Sequence, residues 1–193
     1  MSVETSKASE TAHGLVQAVR GSTESTRAQG VYKMACYDKD GNLKWEEEFP
    51  NLVVNVGLQD MNTQYFNGSS YTAAWYLGLI IGPASSTNFA ATDTMSSHAG
   101  WTESVSYSNA TRPGCSFGSA TSANPSVISN TLSPATFNMN ASVKIAGAFL
   151  TNNSTKGGTT GILFSAADFQ APGDRDVVNG DILTVTYTFN LTA

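Results

Sequence analysis

The residues of this chain that could do chemistry are few and scattered. His98 has Asp93, Ser96 and Ser97 close by, the residue types of a base, an orienting acid and a nucleophile. Such a site needs the three groups brought together from rigid elements, with the serine exposed on a strained turn. No serine lies in a GxSxG pattern, so His98 is expected to be a loop or interface histidine and the protein is expected not to be an enzyme. His13 falls in a polar N-terminal segment some 85 positions away, and Cys36 and Cys115 are isolated. That spacing offers no zinc pattern and favours two free thiols. Asp168, Asp174, Asp176 and Asp181 form a loose acidic stretch, with at most a weak cation site at Asp174 and Asp176. Lys156-Gly157-Gly158-Thr159-Thr160 lacks the residue order of a phosphate loop. No metal and no cofactor are expected.

Binding chemistry leaves fewer exclusions. With a net charge of −5 and a pI near 4.8, the chain has no basic face to displace counterions, so a nucleic-acid partner is not expected. No run approaches the ~20 apolar residues of a membrane helix, and no secretory pattern opens the chain. Synthesis in the cytoplasm, without a membrane partner, is the expectation. Trp45, Trp75 and Trp101 sit in strand-like patterns, where a core role is expected over sugar stacking. Phe89, in the low-charge stretch 82–98, is the aromatic expected to meet a partner, as long loops without structure of their own often do.

The elements that must position these residues are mostly strands. Ser, Thr and Asn account for 60 of 193 residues and charged residues for only 13%, a mixture that disfavours long helices. From Leu183 to Leu191, apolar and polar residues alternate strictly, which predicts a strand with one face on a core and a threonine face on solvent. Runs 31–37 and 43–49 flank Asp38-Lys39-Asp40-Gly41-Asn42, a hairpin signal. Val54, Leu58, Met61 and Tyr65 recur at helical spacing, predicting a helix over 55–66 with Asn55 as N-cap and this face packed on the sheet. Further strands are expected at 71–81, 101–107, 127–130, 135–140, 143–150 and 161–164. Short strands, one helix and Gly/Pro/Asn turns together predict a mainly β protein, an antiparallel, jelly-roll-like β-sandwich over residues 31–193.

Residues 1–30 read differently. They are polar apart from an island at Leu15, Val16, Ala18 and Val19, too little apolar area to offset the entropy of ordering. An N-terminal arm packed on a neighbouring subunit is expected, with Leu15, Val16, Val19, Arg20 and Arg27 as candidate assembly contacts beside Phe89 and His98.

The stretches YDKDGNLKWEEEFPNLVVNVGLQDM (37–61) and NGDILTVTYTFNL (179–191) resemble small virion proteins of tailed bacteriophages, and within them the capsid decoration or cement proteins. The resemblance implies a β-sandwich on the capsid exterior, often trimeric, whose termini extend over adjacent capsomers. Its implied partners are the major capsid protein and further copies of the chain. A rival expectation is a tail- or fibre-associated module that binds carbohydrate through Trp45, Trp101 or Phe89.

Overall fold

The computed structural model describes residues 26–67, 73–81, 88–170 and 173–193. The closing strand, β12 (Ile182–Thr192), is the centre of the first sheet. Leu183, Val185, Tyr187 and Phe189 are buried, while Thr184, Thr186, Thr188 and Asn190 are half-exposed on the opposite face. Along one flank β1 (Arg27–Tyr37) pairs with it antiparallel over its whole length, from Arg27 opposite Thr192 to Tyr37 opposite Ile182. β1 turns into β2 (Leu43–Pro50) through the anticipated hairpin. There the Asp38 carboxylate accepts the backbone N–H groups of Asp40 and Asn42, and Gly41 takes a φ of 85° that other residues resist.

β2 is the outer edge of this sheet. Lys44, Glu46 and Glu48 are exposed on it, and Trp45, Glu47 and Phe49 turn inward. The acidic run is therefore split between faces: Glu46 pairs with Lys33 at 2.8 Å, whereas Glu47 is ion-paired with Arg175.

On its other flank β12 is covered by two short strands, β7 (Ala135–Asn138) along Ile182–Val185 and β6 (Ser126–Ser129) along Thr188–Leu191. Asn130 fills the gap between them. Its Oδ1 accepts the Tyr187 backbone N–H at 2.6 Å, and its Nδ2 donates to the Val185 carbonyl at 3.4 Å. A buried side chain thus completes the backbone ladder where no strand runs.

The second sheet is also antiparallel, in the order β3 (Leu52–Val53), β10 (Leu163–Asp168), β9 (Gly147–Thr151), β4 (Tyr76–Ile81), β5 (Thr102–Ser104). It packs face to face on the first. Tyr32, Met34, Phe49, Val185 and Tyr187 meet Leu77, Leu79, Ala148 and Leu150 in the main core. The far side of the second sheet is buried too, since Ile80, Phe149, Leu163 and Ala166 lie beneath Met95 and Trp101. Burial on both faces explains why β4 and β9 read as continuous apolar runs. Among the described residues, the fold is the mainly β, antiparallel sandwich with one helix that the sequence predicts.

Several local expectations change. β1 begins at Arg27, not at residue 31, because Arg27-Ala28-Gln29-Gly30 extend the ladder with β12, and a Cβ at Gly30 would lie 2.2 Å from the Tyr187 hydroxyl. The run 143–150 is two strands: β8 (Val143–Ile145) pairs with β11 (Arg175–Val177), and after Ala146 the chain enters the second sheet. The run 101–107 is strand only over Thr102–Ser104. A tight turn from the Val105 carbonyl to the Tyr107 N–H then sends Tyr107 into the main core, away from the Trp101 cluster.

The helix, α1 (Asn55–Asn67), forms where predicted but packs on another face. Its one fully buried residue is Gly57, where a Cβ would stand 2.5 Å from the Phe164 carbonyl oxygen. Contact with backbone turns the helix so that Leu58 and Tyr65 of the expected face are exposed, while Val54 and Met61 stay packed. Asn55 is the first helical residue rather than the cap: the Val54 carbonyl accepts the Leu58 N–H, and the Asn55 N–H goes to the Ala91 carbonyl.

Candidate functional site

The residues with catalytic chemistry are occupied in holding loops. The His98 ring stacks on Trp101 with centroids 3.8 Å apart, and its Nδ1–H donates to the Trp101 carbonyl at 3.0 Å. Asp93 accepts the Trp101 indole N–H at 3.0 Å and the Ala90 backbone N–H at 3.1 Å, while Ser96 bonds Thr94. His98, Asp93 and Phe89 therefore all gather around Trp101, whose ring lies 6.0 Å from that of Phe89. Phe89 is half-buried against the second core cluster.

The thiols are buried and free. Burial pushes both Cys36 and Cys115 up to about 12, leaving them as neutral thiols at neutral pH. Asp181, beside Cys36, is buried, which pushes its carboxyl up. Lys44 at 2.5 Å, the Val178 N–H and the Cys36 thiol outweigh this and hold it below its ordinary range. Asp176 pairs with Lys144. Burial, and then the neighbouring Asp174, push Asp168 up to about 6. Among the described residues, no three His, Cys, Asp or Glu side chains converge to hold a metal ion, and no helix is long and apolar enough to cross a membrane.

Arg112, next to Pro113 and Gly114, is fully buried. Its Nε and Nη2 donate to the two carboxylate oxygens of Glu103 at 2.8 and 2.6 Å. Its remaining donors reach the carbonyls of Asn153 and Gly158, both at 2.8 Å, and the guanidinium lies over Phe149. The Lys156–Thr160 stretch wraps this pair: Gly157 N–H donates to Glu103, and Lys156 Nζ donates to the Tyr107 and Asn109 carbonyls. Four of the five guanidinium N–H donors are thus spent on the fold.

The open site lies between the two sheets. There the two sheets part and α1 bridges the opening, leaving an apolar groove of about 370 Å³. Tyr187, Phe189 and Ile128 form one wall, Leu150, Phe164 and Trp75 the other, with Phe117 and Met61 at the ends. Trp75 and Phe164 meet edge to face at 5.4 Å, and Phe164 and Phe189 do the same. The rim is polar: Asp60 accepts a hydrogen bond from Gln64 Nε2 at 3.1 Å. Beside it, Tyr65 is 83% exposed and Phe66 76% exposed, with their rings edge to face at 4.9 Å. Solvent-exposed aromatics next to an apolar groove are what a binding surface provides, since two adjacent large rings in water forfeit burial worth about 1.5–3 kcal/mol each.

Comparison of the chain with family models, with curated proteins and with solved structures returns no match. Of the residues singled out in sequence, His98 and Phe89 come together around Trp101, and Arg27 is an exposed residue of β1. Leu15, Val16, Val19 and Arg20 lie outside the described residues. Trp45, considered as a sugar platform, packs edge to face on Phe169 at 5.7 Å. The groove itself has no sequence signature, because its walls come from positions as distant as Met61 and Phe189.

Proposed function

We propose that the protein is a non-enzymatic virion component, a capsid decoration protein that binds the assembled shell of a tailed phage from outside and bridges neighbouring capsomers. Its partners on this reading are the major capsid protein and copies of itself, in a homotrimer. The observation that carries the reading is the exposed Tyr65–Phe66 pair at the end of α1, beside an apolar groove. Aromatic side chains of this kind supply most of the energy of a protein interface when they are buried by a partner. A supporting observation is that His98, Asp93 and Arg112 each hydrogen-bond to neighbouring parts of the fold. Attachment of many copies to one shell multiplies weak contacts and stabilises the bound state by mass action.

The test is co-sedimentation of purified protein with tailless shells. Phe66→Ser is expected to reduce shell occupancy at least about tenfold, the cost of one interface anchor, while unfolding stability stays within about 0.5 kcal/mol. Failure of the parent protein to bind tailless shells, together with binding to glycans, would replace this reading with the tail-module alternative.

A further inference from the structure

The hairpin end of the first sheet holds a polar cluster that shell attachment does not use. We propose that Lys44 and Asp181 condense into an amide, a covalent bond from β2 to the residue that opens β12, with the Cys36 thiol donating to the carboxylate oxygen that leaves. The inference concerns the free chain and stands independently of the capsid reading.

Placement comes first. Cys36 lies opposite Trp45 and Tyr37 opposite Leu43, so Lys44 is the extra residue of a bulge in β2. A bulge re-aims the side chain it carries. The backbone of Lys44 stays on the sheet edge, while its amine reaches past β1 to within 2.5 Å of Asp181 Oδ2. Asp181 is fixed by its own bonds: its N–H donates to the Val178 carbonyl, its carbonyl accepts the Met139 N–H, and its carboxylate accepts the Val178 N–H. The Cys36 thiol donates to the same Oδ2 at 3.5 Å. An amine, a carboxyl group and a proton donor therefore meet at one oxygen atom.

Burial sets this pair apart. The Lys33–Glu46 and Lys144–Asp176 pairs are open to water on both sides, whereas the Asp181 side chain is 1% exposed and that of Lys44 31%. An ion pair in such a place has lost hydration that a neutral amide does not need. The resting state is ammonium and carboxylate. Passage of one proton from Nζ to Oδ2 along the 2.5 Å bond gives the amine and the carboxylic acid. Nζ then attacks Cγ: the C–N bond forms, the bond from Cγ to Oδ2 breaks, and a second Nζ proton joins the departing oxygen as water. Ammonium plus carboxylate becomes amide plus water, with no oxidant or reductant. Burial keeps Cys36 a neutral thiol, able to hold its hydrogen bond to Oδ2 as that oxygen leaves. Groups held in contact react as if at about 10⁵–10⁸ M, which opposes the tendency of water to keep them apart. The half-exposed flank of Lys44 lets the product water escape.

The experiment is mass spectrometry of the full-length chain, folded at neutral pH after cell-free synthesis and then denatured. The parent is expected to become lighter than its sequence mass by one water, and Lys44→Arg, which keeps the positive charge, to retain the full mass. After tryptic digestion, peptide 176–193 is expected joined to the peptide that begins at Asp40. Cys36→Ala should slow the loss of water about a hundredfold, and an unchanged rate would remove the thiol from the step. A parent chain that keeps its full mass, a loss of water that persists in Lys44→Arg, or one that leaves peptide 176–193 free would overturn the proposal.

Discussion

Two regions of the sandwich solve opposite problems. At one, the Arg112–Glu103 pair is sealed from water with its donors matched to carboxylate and carbonyl oxygens. At the other, the sheets part around aromatic walls and two rings stand in solvent. A charged group that is buried and bonded to its surroundings is committed to the fold, whereas an exposed apolar surface is not. By type alone the arginine attracts a functional reading, and the geometry assigns it to the fold instead.

The comparison breaks most severely at Arg112. Arg112→Met keeps much of the volume but leaves the Glu103 carboxylate buried without its partner, and a loss of about 3–5 kcal/mol is expected in urea unfolding. Replacing both residues, as Arg112→Met with Glu103→Leu, should recover much of that loss. A single variant as stable as the parent would show that water reaches the pair.

Gly57 tests the groove. Adding a methyl group there drives it against the Phe164 carbonyl oxygen, so Gly57→Ala should cost about 1–3 kcal/mol in urea unfolding despite alanine's better helix propensity.

Asp168 gives the smallest effect and a pH dependence. With its carboxyl pushed up to about 6 by burial and by Asp174, folding favours the protonated form. Its contribution is then intact below the ordinary carboxyl value of 3.8 and is lost as pH rises through about 6. Asp168→Asn should raise the thermal midpoint by about 1–3 °C at neutral pH, after allowance for solvent screening, and by nothing near pH 4. A constant difference across that range would locate the effect elsewhere.

The sheet was legible in the sequence wherever one face meets the core and the other meets solvent. β12 and the β1–β2 hairpin announce themselves by period-two alternation and by Asp-Gly turn chemistry. Legibility failed where a contact replaces a pattern. α1 was found by its periodicity, yet its orientation depends on Gly57 against backbone, which no apolar face encodes. The split of 143–150 turns on Ala146 alone, and the gap in the β12 ladder is closed by Asn130, a residue whose type reads as a loop. Arg112 was hidden by its Pro-Gly neighbours, and the groove by the distance in sequence between its walls.

Strand β2 carries one more consequence. It ends the first sheet with Lys44, Glu46 and Glu48 facing solvent, next to a row of unpaired backbone groups. A second copy pairing antiparallel along that edge with Glu46 opposite Glu48 would set acidic side chains against acidic side chains, a juxtaposition that opposes strand addition in that register. In that register the edge of β2 resists growth of the sheet from one molecule to the next.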